Sequence, residues 1–247
     1  MIPARTQDQI RHQIQNLGFL LFPGICLLCQ RRSKRKLDLC HACEAALPRL
    51  ETGCLRCALP LVCTGVCGYC QGKPPSFTSV FTPYLYQFPT DRMIQSFKYS
   101  GKFKYGRVLA TLLAEQLNNT GRLNNSAPPP DVLLPVPLHW RRQIKRGFNQ
   151  AELIARALSR QLDIPINTQL ISRTRYTITQ EGLSRQKRQG NLRQAFTATP
   201  DVKGLSIVVI DDVVTTGSTA EAVARCLVRA GAQQVQIWAL ARTPLEK

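Results

Sequence analysis

The sequence predicts an α/β chain built on a mainly parallel, doubly wound sheet, with a small cysteine-rich zinc module ahead of it. Three observations carry this. From about residue 78 onward, short apolar and β-branched runs alternate with amphipathic stretches of helical period, the pattern of βα units. One run, Val208-Val209-Ile210, is apolar without alternation, as a strand covered on both faces must be. It leads straight into Asp211-Asp212 and a turn of hydroxyls and glycine. Nine of the ten cysteines lie between Cys26 and Cys70, eight of them in C-x-x-C pairs.

Residues 17–28 are apolar for a while, but Pro23-Gly24 interrupts them and no small-residue cleavage site follows. They read as a packed helix rather than a signal peptide. No apolar run reaches the roughly 20 residues of a spanning helix, so no transmembrane segment and a cytoplasmic location are expected. The cysteine pairs are Cys26/Cys29, Cys40/Cys43, Cys54/Cys57 and Cys67/Cys70, with gaps of ten, ten and nine residues between pairs. Each C-x-x-C turn presents two sulfurs to one ion, and two turns complete a tetrahedron, so two structural Zn(Cys)4 sites are expected. The even spacing leaves two arrangements open: neighbouring pairs share a zinc, or pairs one and three interleave with two and four. Cys63 is surplus and could replace a ligand of the last pair; His41, beside Cys40, reads as a bystander. Gly72-Lys73-Pro74-Pro75 divides the composition, giving a double zinc-ribbon module over residues 1–75 and an α/β domain over 76–247.

Beyond that division, residues 78–87 alternate enough for an early strand or hairpin. Residues 107–117 place Leu109, Leu112, Leu113 and Leu117 on one helix face. Residues 118–130 are polar and end in three prolines, a surface loop. A strand is expected over 132–136, an amphipathic helix over 149–162 that stops before Pro165, and another strand over 166–171. Residues 205–210 form the motif strand and 218–230 its helix, with Gly231 as the cap. The last strand is expected over 235–241.

The motif strand ends in the candidate site. Carboxylates where a strand leaves an open α/β sheet sit where such sheets bind ligands. Val214, Thr215, Thr216, Gly217, Ser218 and Thr219 offer hydroxyls and backbone N–H groups at a helix N-terminus, which suits an anion. The turn lacks the Gly-Lys of a Walker A loop and is not a G-x-G-x-x-G turn. Acids for a hydroxyl-rich ligand beside N–H groups for a phosphate point to a sugar phosphate. The run resembles the loop with which type I phosphoribosyltransferases bind phosphoribosyl pyrophosphate (PRPP). That resemblance implies that Asp211 and Asp212 hold the ribose hydroxyls and Mg2+, and that the turn wraps the 5′-phosphate.

Two basic stretches fit the same ligand. Residues 135–150 leave a strand and enter a helix, carrying His139, Arg141, Arg142, Lys145 and Arg146; cations and N–H groups there would oppose the charge of a departing pyrophosphate. Residues 173–193 carry Arg173, Arg175, Arg185, Lys187, Arg188 and Arg193 against one acid, Glu181. A long polar loop beside a sheet edge suits a lid, with Arg185 and Arg188 facing the ligand's phosphates.

The whole chain is basic: 33 Lys and Arg against 15 Asp and Glu, a formal net charge of +18. Two Zn(Cys)4 sites, at about −2 each, leave a strong excess, which points to a polyanion, nucleic acid before a membrane surface. Residues 31–36, Arg-Arg-Ser-Lys-Arg-Lys, put five cations in six positions on a metal-held loop. That suits phosphate-backbone contact without sequence reading. No aromatics interleave there, so base stacking is not evident in that run.

Four stretches occur in this order in the ComF family of competence proteins. They are Pro135-Val136-Pro137-Leu138-His139; Arg146-Gly147-Phe148-Asn149-Gln150-Ala151; Gln180-x-x-Leu183-Ser184-x-x-x-Arg188-x-x-Asn191; and Val209-Ile210-Asp211-Asp212 through Thr219. The cysteine module and Phe97-Lys98-Tyr99-Ser100-Gly101-Lys102 also resemble that family, over about residue 26 to the C-terminus. The resemblance implies a cytoplasmic protein with an N-terminal zinc finger and a type I phosphoribosyltransferase domain, acting on imported single-stranded DNA in natural transformation, with DNA-uptake or helicase proteins as partners. The residues leave open two alternatives: an active phosphoribosyltransferase with an unknown sugar acceptor, and a PRPP-sensing regulator.

Overall fold

The computed structural model describes residues 24–121, 129–138, 143–144, 146–174 and 195–244. The described chain forms two compact units, one ending at Leu47 and one starting at Pro48.

Among the described residues of the first unit, Cys26, Leu37, Leu39 and Leu47 are buried and short-range backbone bonds frame them. The Cys26 N–H donates to Arg31 O at 2.8 Å, the Leu27 N–H to Asp38 O at 2.9 Å and the Ser33 N–H to Gly24 O at 2.7 Å. Ile25 bridges Arg32 in antiparallel sense, and a single helical turn, α1 (His41–Ala45), follows Cys40.

The second unit opens with another cysteine loop, ended by α2 (Gly68–Gly72). Then come β1 (Ser79–Phe81), β2 (Tyr84–Leu85), α3 (Thr90–Ser100), α4 (Phe103–Asn119), β3 (Val132–Pro135), α5 (Gln150–Leu162), β4 (Ile171–Arg173), β5 (Phe196–Ala198), β6 (Ser206–Val214), α6 (Ser218–Arg229) and β7 (Gln234–Arg242). The main sheet runs β1-β7-β6-β3, all parallel, with β2 also pairing β7. β1 and β2 both run parallel to β7, in register Phe81↔Trp238 and Tyr84↔Ala241. They are one edge strand broken at Thr82-Pro83 rather than a hairpin. Pro83 cannot donate to the ladder, which confines such a break to an edge.

β6 is central, and its first five residues are buried. Its alternating Ile207 and Val209 pack with Ile237 and Ala239 of β7 and with Ala220, Val223, Ala224 and Leu227 of α6. Val208, Ile210, Trp238 and Leu240, on the other phase of the alternation, are equally buried. α5 packs on β3 and β6, and α4 on α5 and β7. The strands' two apolar sides are thereby covered by helices, as a parallel sheet requires.

Residues 166–171 depart from the expected strand. Ile166 makes only an isolated bridge to Leu133, while Ile171–Arg173 pairs antiparallel with β5 in a separate two-stranded sheet. Asn167, whose Oδ1 takes the Gln169 N–H at 2.8 Å, turns the chain out of the sheet between them.

The second cysteine loop packs as part of the α/β unit. Ala58 is buried in the main core, with Leu50 and Cys57 against it. The Val80 N–H of β1 donates to Arg56 O at 2.7 Å. Composition divides the chain near residue 72, whereas packing divides it at Leu47/Pro48, between the two cysteine loops.

Candidate functional site

β6 runs on past the core to Val214, so that Asp211 and Asp212, its sixth and seventh residues, emerge partly exposed toward its carboxyl end. Asp211 lies opposite Ala239 and Val214 opposite Arg242. The Asp212 N–H donates to Asp211 Oδ1 at 2.8 Å. Lys98, from the last turn of α3, places its Nζ 2.9 Å from Asp212 Oδ1. Burial pushes the Asp211 carboxyl up, and the neighbouring Asp212 charge adds to it. Lys98, the Asp212 N–H and Arg173 pull the other way, and the balance stands at about 7. Lys98 is held above the ordinary lysine range although its burial works downward, because the two carboxylates outweigh that burial.

The turn after β6 seats itself on the start of α6. Gly217 is the N-cap at φ +76, a left-handed conformation that costs an L side chain about 1 kcal/mol or more. Thr216 Oγ1 and Ser218 Oγ lie 2.8 Å apart, and the Ser218 N–H also reaches Thr216 Oγ1 at 3.4 Å. Thr215 is exposed, and Thr216, Gly217 and Thr219 are half-buried. A 12-residue helix therefore presents its positive end at an open, hydroxyl-lined turn, close in sequence to the two carboxylates at the strand end.

Arg146 is the described cation of the 135–150 stretch that reaches toward this corner. Its Nη1 donates to Gln150 Oε1 at 3.3 Å, and its guanidinium lies 5.4 Å over the Tyr99 ring. Gln150 Nε2 in turn reaches Lys98 O at 3.5 Å. Neighbouring residues of the motif are structural. Phe148 packs edge-on to Phe103 at 5.0 Å and against Phe97 at 5.8 Å. Asn149 caps α5 by accepting the Ala151 N–H at 3.0 Å while donating to Val136 O at 3.1 Å. His139, Arg141, Arg185 and Arg188 lie outside the described residues.

The cysteines resolve into two clusters, Cys26/Cys29/Cys40/Cys43 and Cys54/Cys57/Cys67/Cys70, with the four sulfurs of each within 4.8 Å of one another. Neighbouring pairs therefore share a site, which decides between the two arrangements the spacing allowed. Cys63 is exposed and belongs to neither cluster. The surroundings fit a thiolate-bound cation. The Cys67 N–H points at Cys54 Sγ from 3.3 Å. Burial alone would push the Cys54 thiol up, but the N–H groups of Cys57, Cys67 and Arg56 outweigh it and bring it down to about 6. Cys26 behaves likewise, at about 6. Burial and its sulfur neighbours push Cys43 up to about 12. Four converging sulfurs with backbone N–H groups turned toward them form a set that a divalent cation completes. Metal analysis of the purified full-length protein should give two zinc ions per chain; one or none would contradict the assignment.

In the basic run, Arg31, Arg32, Lys34 and Lys36 are exposed. Arg35 is not available in the same way: it forms an ion pair with Glu44 and lies 3.1 Å from His41 Nδ1. His41 stands beside the metal cluster as a hydrogen-bonding neighbour, outside the sulfur set.

Two contributors to the site lie beyond what the sequence predicts. One is α3, whose buried face is carried by Met93, Ile94 and Phe97 and which Gly101 ends at φ +59. With α3 comes the other, Lys98. The Phe97-Lys98-Tyr99 stretch stands out in the sequence, but the reach of Lys98 to Asp212 requires the fold.

A parallel sheet whose central strand ends in paired acids, followed by a hydroxyl turn on the next helix, defines a type I phosphoribosyltransferase fold, and the two cysteine clusters define a double zinc ribbon. Comparison with known proteins agrees: residues 149–246 match the phosphoribosyl transferase domain, and residues 18–71 the double zinc ribbon domain. The DNA utilization protein YhgH of Escherichia coli O157:H7 is 37% identical over 226 residues, covering 91% of this chain and 99% of that protein. Competence protein F of Haemophilus influenzae is 34% identical over 222 residues, covering 89% and 90%. Competence protein ComFC of Bacillus subtilis is 26% identical over 233 residues, covering 84% and 90%. The chain belongs to the ComF family.

Among the described residues, no helix is long and apolar enough to cross a membrane.

Proposed function

We propose that this protein binds PRPP with Mg2+ at the end of β6 and grips single-stranded DNA through its basic zinc-ribbon surface, handling DNA in the cytoplasm during uptake. The observation that carries the first half is the juxtaposition of Asp211 and Asp212 with the Thr215–Thr219 turn on the N-terminus of α6. The diol of a ribose suits the acids, and its 5′-phosphate suits the turn's N–H groups and hydroxyls. Mg2+, when bound, supplies positive charge between the acids and the pyrophosphate. The second half rests on the excess of cations, on the exposed Arg31, Arg32, Lys34 and Lys36, and on relatives named for DNA utilization and competence. DNA-uptake or helicase proteins are the partners this role calls for.

Calorimetry of PRPP and of single-stranded DNA, separately and together in the presence of Mg2+, tests the proposal directly. Counterion release makes log affinity for DNA fall linearly with log salt, with a slope of about 0.7 per neutralised phosphate on single strands. Changing Arg31, Arg32, Lys34 and Lys36 to Ser should flatten that slope by up to roughly 0.7 for each phosphate no longer neutralised and leave PRPP affinity unchanged. An unaltered slope would remove the first ribbon from the DNA site.

A second reading, an active phosphoribosyltransferase, is favoured by one observation. Paired carboxylates at a strand end beside a hydroxyl-lined helix N-terminus are the set that would hold PRPP while pyrophosphate departs. Acceptor-dependent release of pyrophosphate separates that reading from simple binding. A defined operator sequence would instead indicate a PRPP-sensing regulator.

A further inference from the structure

The sugar-phosphate turn and the second cysteine cluster are joined through one side chain. Arg242, the last residue of β7, is 4% exposed. Its Nε donates to Cys57 O at 3.1 Å. Its Nη1 donates to Val214 O at 3.0 Å, to Thr243 O at 2.8 Å and to Thr215 O. The acceptors are thus the carbonyl of a cysteine of the second cluster on one side and, on the other, the carbonyls of Val214 and Thr215, where β6 passes into the turn, with Thr243 O beside them. Backbone pairing reinforces the same junction: Val214 lies opposite Arg242 in the β6–β7 register, and the Thr243 N–H donates to Val214 O at 3.0 Å.

The physical consequence follows from two facts about such a bridge. A guanidinium is a rigid planar fork, so fixing one edge of it fixes where the other edge points. The carbonyls it holds belong to peptide units at the turn, and the turn's N–H groups are what a phosphate meets; orienting the one orients the other. Cys57 O is carried by the Cys54-x-x-Cys57 loop, which is held on one side by the core contacts of Ala58 and the Val80–Arg56 bond and on the other by the convergence of its sulfurs with those of Cys67 and Cys70, the set a metal ion would lock. Every bond of the bridge lies within the second compact unit, whereas the first cluster belongs to the other.

We infer that Arg242 is a positioning residue that fastens the sugar-phosphate turn to the second zinc cluster, so that metal occupancy of that cluster, and not of the first, sets how well the turn binds phosphate. The inference rests on the reading of the turn as the PRPP site, but it predicts an ordering of the turn that exists before any ligand arrives. Cys57 thereby has two roles: its sulfur belongs to the metal site and its carbonyl belongs to the bridge.

The test uses the full chain and three variants, with amide hydrogen exchange and metal content as readouts independent of ligand. Arg242→Lys keeps the charge but replaces the fork by a point donor that cannot span Cys57 O and Val214 O together. It should retain two zinc ions, exchange the Thr215–Ser218 amides at least tenfold faster, and bind PRPP with Mg2+ at least tenfold more weakly. Protection of the β6 amides of Val208 and Val209 should be unchanged, which shows that the sheet is intact. Cys67→Ser should lose one zinc and loosen the same turn amides. Cys29→Ser, which opens only the first cluster, should lose one zinc yet match the parent in turn exchange and PRPP affinity; turn amides that loosen there too overturn the assignment to the second cluster. If Cys67→Ser unfolds the sheet, stepwise chelation of zinc from the full chain, with turn and β6 amide exchange followed together, replaces it: turn amides that loosen before the β6 amides as the second zinc leaves support the link, and turn amides that stay protected overturn it. Turn amides that exchange at the parental rate in an intact Arg242→Lys protein overturn the inference. Faster turn exchange together with a parent that does not bind PRPP leaves the bridge standing and overturns the PRPP reading instead.

Discussion

Asp211→Asn with Asp212→Asn should abolish measurable PRPP binding in the presence of Mg2+ while the protein keeps the parent's number of thermal transitions and its zinc content. Each substitution preserves shape and removes a charge, so the missing quantity is the carboxylates' attraction for Mg2+ and their acceptance of the ribose hydroxyls. Charge-assisted bonds of this kind contribute about 1.5–3 kcal/mol each, and removing several takes a micromolar site beyond detection. The single changes should part company in stability. Asp211 has a folded value near 7, raised from 3.8, with burial the largest cause. A raised acid costs stability above its unfolded value: the loss begins near pH 4, grows as pH rises and is complete above about 7. Asp211→Asn removes that loss, so its melting temperature relative to the parent should be higher at pH 8 than at pH 5. Asp212→Asn strips Lys98 of its carboxylate partner at 2.9 Å and should instead destabilise at pH 8. PRPP affinity that survives the double change would remove the site from the end of β6.

The site's outline was legible because its parts are contiguous. A continuous apolar run, two acids and a hydroxyl-glycine turn are neighbours in sequence, and a strand-turn-helix places neighbours in sequence next to one another in space. The cysteine pairs were legible as metal ligands for the same reason, but their partnership was not: gaps of ten, ten and nine residues are compatible with both arrangements, and only the sulfurs' convergence separates them. What stayed hidden is whatever arrives from a distance. Lys98 is 114 positions before Asp212; its stretch stands out by resemblance, but nothing local says which acid it meets. Arg242 ends a strand that reads as ordinary core, and its four backbone acceptors carry no side-chain signature at all. The packing division was obscured by composition. Cysteine and polar content continue unchanged from one ribbon into the next, whereas the second ribbon is bound to the sheet through Ala58, Arg56 and Cys57, by a small side chain and by carbonyls.

Lys98→Met should move the pH dependence of PRPP binding upward and weaken it at neutral pH. With Lys98 present, two adjacent carboxylates share one close cation; Asp212 touches it at 2.9 Å, and the same charge lowers Asp211 from where burial and Asp212 would otherwise put it. Ligand binding with Mg2+ needs Asp211 ionised, so affinity in the parent should rise with pH through about 7 and level off above it. Methionine keeps the length and much of the packing of the lysine stem but no charge. Removing a nearby opposite charge raises a carboxyl, so the midpoint should move up and affinity at pH 7 should fall. Stability has a matching sign. The folded value of Asp211 rises further above its unfolded one, so the variant's deficit should be small at pH 5 and grow toward pH 8. Lys98 is neither a ligand of the phosphate turn nor part of the apolar core, so a defect that is equal at pH 5 and pH 8 would show that its role is packing alone. A midpoint that stays put would show that the Lys98 charge is not what keeps the acid pair ready for its ligand. The binding curve also distinguishes Lys98 from Arg242. Loss of the lysine can be offset by raising the pH, because the missing element is charge on Asp211. Loss of the Arg242 fork cannot, because the missing element there is the orientation of peptide groups that do not titrate.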